Sequence, residues 1–236
     1  MWQDAMNEFI ADYKENPDVE AILLVGSYAV GNNNNYSDID IFIILNDQAK
    51  YRKRGNKLVG NYLIEYFVNR KQDVYKYLDD GVKNHKGSIK NMIQNGIALY
   101  DKNNIIKELK KYAKNLPKNN NKDVMLYYAC WCAYDEYKAA KYNKHLQYYI
   151  CLNNLVDCYL VNNGYNKLPN LKIERFFKDK EYLKKYNIKL PNNKFNKLVI
   201  NCFDKENQNN LKQLYDYVIN NGKFDINNFE LINEIE

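Results

Sequence analysis

Two aspartates, Asp38 and Asp40, open the most strongly β-branched run of the chain, Ile39-Asp40-Ile41-Phe42-Ile43-Ile44-Leu45. In an extended strand, side chains two positions apart project to the same face, so the two carboxylates converge on one spot. Such a pair of charges repels itself unless a cation lies close by. The segment before it narrows the choice further. Ala21-Ile22-Leu23-Leu24-Val25 reads as another buried strand, Gly26-Ser27 breaks it, and Tyr28-Ala29-Val30 opens a helix that Gly31 and the asparagine run 32–35 bring to an end. Backbone N–H groups at that turn, together with the Ser27 hydroxyl, make a site for phosphate oxygens. Hard carboxylate ligands beside a phosphate site suit magnesium or manganese, held partly through the phosphates themselves.

A third acid follows. Residue types alternate around Ile64-Glu65-Tyr66-Phe67, and a single strand is expected over Leu58 to Val68 with Glu65 on the face of Leu63 and Phe67. A glutamate inside an apolar strand needs a partner, because burying an unpaired charge is costly, and a metal shared with Asp38 and Asp40 would provide one. Taken singly, the pieces say little: Asp-x-Asp is common, Gly-Ser mostly marks a turn, and a strand glutamate is usually solvated. Their order does the discriminating. Strand, Gly-Ser, helix, Ser-Asp-x-Asp, strand, and an acid in a third strand together point to a two-metal site for in-line phosphoryl chemistry.

Helical spacing of apolar residues covers Gln3 to Glu15, Asp73 to Asp80, Ser88 to Asn95 and Asn104 to Ala113, so the first half alternates helix and strand. At Leu116-Pro117-Lys118-Asn119-Asn120-Asn121 the character changes to a polar hinge. Beyond it, helices are expected at Val124 to Lys141, His145 to Asn162, Ile173 to Tyr186, Asn193 to Phe203 and Asn207 to Asn220, without any strand signal. The expected organisation is an α/β domain over residues 1–116 and an all-helical bundle over 122–236. The tyrosines and Trp131 of the helical half are read as core.

Several other function classes are disfavoured. The net charge of +6 is spread over scattered lysines mixed with acids, so nucleic acid is not an expected partner. The five cysteines are odd in number and lie mostly in apolar helical contexts, which suits reduced thiols in a cytoplasmic protein. The N-terminus does not read as a signal peptide, and no stretch reaches membrane-spanning length. His85 and His145 have no cysteine at zinc-ligand spacing, and Cys130-x-Cys132 would place its thiols about 200° apart on a helix. Arg52-Lys53-Arg54 is read as a solvated basic loop.

The stretch from Gly26 to Asp40 resembles the G-S-x10-D-x-D signature of the DNA polymerase β-like nucleotidyltransferase superfamily. The resemblance implies a minimal catalytic domain, with a small mixed sheet flanked by helices, over roughly the first 115 residues. It implies that Gly26 and Ser27 hold a nucleoside triphosphate, that Asp38 and Asp40 bind two magnesium or manganese ions, and that Glu65 completes the triad. A looser likeness, to antibiotic nucleotidyltransferases of the kanamycin and lincosamide types, rests on Asn95-Gly96-Ile97-Ala98-Leu99-Tyr100-Asp101 and on the helix containing Asp135-Glu136-Tyr137-Lys138. It implies AMP transfer from ATP to a hydroxyl of a small acceptor such as an aminoglycoside or lincosamide, with Glu136 as general base. It also implies an acceptor site between the domains and a homodimer whose second subunit contributes to it. Two alternatives stay open: a protein-modifying, antitoxin-like nucleotidyltransferase, and a nucleotide-binding module without turnover.

Overall fold

The computed structural model describes residues 1–119 and 121–221. The chain divides into two compact units, one of Met1–Lys118 with the short stretch Lys184–Asn187, the other of Asn119–Leu183 with the chain from Ile188 on. An N-terminal mixed α/β domain is followed by a C-terminal all-α bundle, the fold class expected above. Residues 222–236, expected to close the helical domain, lie outside the described residues.

The first unit runs α1 (Trp2–Glu15), β1 (Val19–Val25), α2 (Gly26–Ala29), β2 (Ile39–Leu45), β3 (Lys53–Val59), β4 (Tyr62–Arg70), α3 (Lys71–Lys83), α4 (Ser88–Asn95), β5 (Ile97–Asp101) and α5 (Ile105–Asn115). The strands form a mixed sheet in the order β3-β4-β2-β1-β5, with β2 and β4 parallel and the other neighbours antiparallel. β1 and β2 are apolar almost throughout because both faces of the sheet are covered there. On one face, Ile22, Leu24, Ile39, Ile41 and Ile43 cluster with Ala5, Met6, Phe9 and Ile10, the helically spaced stripe of α1. On the other, Leu23, Val25, Phe42 and Ile44 cluster with Val74, Leu78, Ile93, Ile105 and Leu109 from α3, α4 and α5. Full burial of a Val, Leu, Ile, Phe or Met side chain stabilises a fold by roughly 1.5–3 kcal/mol. The Asp101 carboxylate caps α5, accepting from the N–H groups of Ile105 at 2.8 Å and Ile106 at 3.2 Å.

Two strand expectations need correction. The single strand expected over Leu58 to Val68 is a hairpin, turning at Gly60-Asn61 so that Val59 pairs with Tyr62 and Arg54 with Phe67. Gly60 adopts φ 57°, the left-handed conformation that such a tight turn requires. β5, on the opposite edge of the sheet, was not expected as a strand.

The remaining helices are α6 (Val124–Ala139), α7 (Lys144–Asn162), α8 (Ile173–Lys178), α9 (Lys180–Lys185), α10 (Asn193–Asp204) and α11 (Gln208–Asn221). The helix expected over Ile173 to Tyr186 is therefore two helices. The break falls at Asp179, whose side chain accepts from Tyr182 N–H at 2.9 Å and so starts α9. The bundle's core is aromatic. Tyr159 stacks on Phe195 with ring centroids 3.7 Å apart, Tyr134 on Tyr215 at 4.3 Å, and buried Tyr148 donates its hydroxyl to the Cys202 carbonyl at 3.0 Å. Cys130, Cys151, Cys158 and Cys202 are buried as free thiols. Burial pushes the Cys151 thiol up to about 12 and that of Cys202 up to about 11, so both stay protonated at neutral pH. Trp131, read as core, is instead 41% exposed and stacks on the likewise exposed Tyr128. Among the described residues, no helix is long and apolar enough to cross a membrane.

Candidate metal centre

β2 is flanked by β1 and β4, and register places Asp40 opposite Val25 on one side and Glu65 on the other. Paired residues of parallel strands show their side chains to the same face, so Asp40 and Glu65 lie side by side, with Asp38 just ahead of them along β2. One ligand oxygen from each of Asp38, Asp40 and Glu65 lies within 4.8 Å of the others, and all three side chains are half-buried. Further along the same face, Phe42 and Phe67 stack at 6.3 Å, so the acids stand where the covered part of that face ends.

The turn after β1 is fitted to these acids. Gly26 has φ 67°, and a Cβ added to it would sit 1.9 Å from Asp40 Oδ2. Only a residue without a side chain lets the turn and the carboxylate come this close. The turn is held by Asn32 N–H donating to the Ser27 carbonyl at 2.9 Å. The loop leading to Asp38 is held in the same way: the N–H of Asn34 donates to Ser37 Oγ at 2.9 Å, and the N–H of Tyr36 to Asn34 Oδ1 at 2.9 Å. Behind the turn, Tyr28 packs on Trp2 with ring centroids 4.9 Å apart. Burial, then the neighbouring Tyr62, and lastly the Asp38 charge raise the Tyr28 hydroxyl above its ordinary value, against a lowering bond from Asn33.

Glu65 has a protein partner that sequence reasoning missed. Arg54 Nη2 lies 3.1 Å from Glu65 Oε1, and the Arg54 guanidinium carbon sits 4.9 Å from the centre of the Phe67 ring. The Glu65 side chain also keeps 24% of its surface exposed. Glu65 is therefore neither fully buried nor unpaired, contrary to expectation, and what marks the site is the meeting of three carboxylates. Arg54, read as part of a solvated loop, is a strand residue reaching one of them.

The donor set suits a hard divalent cation: three carboxylates, no nitrogen or sulfur, and a glycine cradle against one of them. No other group of three His, Cys, Asp or Glu side chains meets in this way among the described residues. His145 contacts Glu206, His85 is buried, and Glu136 is exposed on α6 of the helical unit, next to the Asp135–Lys138 ion pair of 3.0 Å.

Residues 7–105 match the family model described as Polymerase beta, Nucleotidyltransferase. None of the curated proteins matches the chain. Among solved structures, the chain is similar to a nucleotidyltransferase-like protein from Exiguobacterium sibiricum, with 11% identity and a TM-score of 0.48 over 94% of this chain and 77% of that one. The matched stretch contains all five strands of the sheet and all three acids. Over residues 7–105 the protein carries a polymerase β-like nucleotidyltransferase superfamily domain, with an acidic cluster able to chelate a divalent metal ion.

Proposed function

We propose that the protein transfers a nucleoside monophosphate, AMP from ATP, to a hydroxyl of a small-molecule acceptor and releases pyrophosphate. The observation that carries this reading is the approach of Asp38, Asp40 and Glu65 to within 4.8 Å, beside a glycine turn that leaves room for no side chain. Asp38, Asp40 and Glu65 would hold two divalent cations, magnesium or manganese, which supply charge neutralisation along the phosphates. Gly26 and Ser27 receive the triphosphate at the turn. Glu136 takes the proton of the acceptor hydroxyl as its oxygen bonds to the α-phosphorus and the bond to the β-phosphate oxygen breaks. The chain's own contribution is mostly positioning and electrostatic complementarity.

In this reading residues 1–116 are the catalytic domain and 122–236 the acceptor-binding domain of a cytoplasmic enzyme. An aminoglycoside or lincosamide acceptor is supported by the all-α bundle that follows the catalytic unit. The buried thiols support a reducing compartment.

The test is a thermal-shift and calorimetry panel of the four nucleoside triphosphates, each with and without magnesium. Metal-dependent binding is expected for the donor nucleotide and is expected to vanish in Asp38→Ala. Binding by none of them makes a nucleotide-binding scaffold without turnover the better reading. A second variant separates the chemistry from donor binding. Glu136→Gln is expected to slow transfer by about 10²–10⁴-fold while leaving triphosphate affinity unchanged, as loss of a general base does. Because Glu136 is exposed, the substitution should not disturb the fold. Unchanged turnover would remove Glu136 from the mechanism.

A further inference from the structure

β3 is an edge strand, and alternation sorts its basic residues between two faces. Lys53 and Lys57 lean over Tyr51 at 5.1 Å and Phe9 at 5.9 Å, on the α1 side of the sheet. Arg52, just ahead of the strand, turns to Tyr77 at 5.3 Å and Asp73 at 4.0 Å. Of these four, Arg54 alone reaches the acid cluster, bonded to Glu65 at 3.1 Å and laid against the Phe67 ring. Its side chain is 73% exposed, so much of the guanidinium fork faces water beside the three acids.

A guanidinium and a divalent cation compete for the same carboxylate. With no cation in the cluster, three acids within 4.8 Å repel one another, and Arg54 offsets part of that charge. Once Glu65 turns to a cation, the arginine loses its anionic partner and meets positive charge instead. The stacking on Phe67 does not depend on Glu65, so it keeps the guanidinium at the cluster. A planar fork of donors is matched to phosphate oxygens as well as to carboxylates.

We propose that Arg54 is a positioning residue with two successive partners: it neutralises Glu65 while the acid cluster is without a cation, and is handed to the phosphates of the incoming triphosphate when Glu65 takes up its cation. This rests on the nucleotidyltransferase reading of the site.

The experiment measures two affinities in wild type, Arg54→Ala, Arg54→Lys and Asp40→Asn: that for manganese alone, and that for the α,β-methylene analogue of ATP at saturating manganese. In Arg54→Ala, manganese alone should bind about three- to tenfold tighter, because one unit of nearby positive charge is gone. The analogue should bind about tenfold weaker, because a charge-assisted contact to phosphate is lost. Arg54→Lys keeps the charge and should return the manganese affinity to the wild-type value, with only part of the analogue affinity recovered. A purely structural role would weaken both affinities together, and that result, or no change in either, overturns the proposal. Manganese binding in wild type that is lost in Asp40→Asn shows the metal site intact, so that an unchanged Arg54→Ala then sinks this inference alone. No manganese binding in wild type sinks the site reading and this proposal with it.

Discussion

Asparagine at Asp40 is expected to lower nucleotidyl transfer about a thousandfold or more while leaving the protein folded. Asp40 lies at the centre of the cluster, with Glu65 beside it on β4 and Gly26 beneath one of its oxygens. Asparagine keeps the size and shape that this contact allows, so the turn should not move. What changes is charge. One of the three carboxylates around the cation becomes a neutral amide, and a loss of about 4 kcal/mol of transition-state stabilisation corresponds to a thousandfold in rate. Stability should move the other way or not at all, since one of three mutually repelling charges is gone in the metal-free protein. The checks are single-turnover transfer rates alongside thermal melts without metal. Near-normal turnover in a well-folded variant would mean that the cation is held elsewhere.

The parts of the site that were legible in the sequence are those set by local geometry. Asp40 is the second residue of β2 and Asp38 stands one residue ahead of the strand, so the two-residue spacing brings their carboxylates together, and the strand announces itself because both of its faces are buried. Gly26 was legible as a turn residue. Its tight approach to Asp40 was not, since that depends on how β1 and β2 pair. Arg54 escaped for a related reason. β3 reads Lys-Arg-Gly-Asn-Lys-Leu-Val and is exposed along most of its length, so it has no apolar alternation to reveal it. The signal lay in Gly60-Asn61, a two-residue hairpin turn. It would have fixed the register and put Arg54 diagonally across from Glu65. β5 is short and only partly covered, and so equally faint.

In the helical half, the helices were legible from spacing, but their faces were less so. α6 carries apolar residues nearly all round, so the sequence could not say that Trp131 and Tyr128 point outward while Tyr127, Tyr134 and Tyr137 point in. The break at Asp179 is a capping event. An aspartate inside an apolar periodic pattern can start a new helix as readily as continue the old one, and here its carboxylate takes the Tyr182 N–H and the Arg175 guanidinium together.

Alanine at Gly26 is the second large effect, and it should strike stability and metal binding together. Two separate penalties arise at this position. At φ 67° any residue with a Cβ sits in the left-handed region, which costs about 1–3 kcal/mol. The new methyl would also lie 1.9 Å from Asp40 Oδ2, 2.8 Å from its Cγ and 3.1 Å from its Cβ. Swinging the carboxylate away relieves the first two contacts but not the third, so the turn itself has to shift as well. Either movement takes Asp40 away from Asp38 and Glu65, and manganese affinity should fall more than about tenfold, as for loss of a ligand or its support. Gly31 supplies the control. It has φ 63° as well, but a Cβ there meets nothing within 4 Å. Gly31→Ala should therefore carry the conformational penalty alone, melting somewhat lower while binding manganese as wild type does. If both variants melt lower and only Gly26→Ala loses metal, the close packing of the turn against Asp40 is what sets the carboxylate in place. If Gly26→Ala binds manganese as tightly as wild type, Asp40 is positioned by its strand, and the glycine serves only the path of the chain.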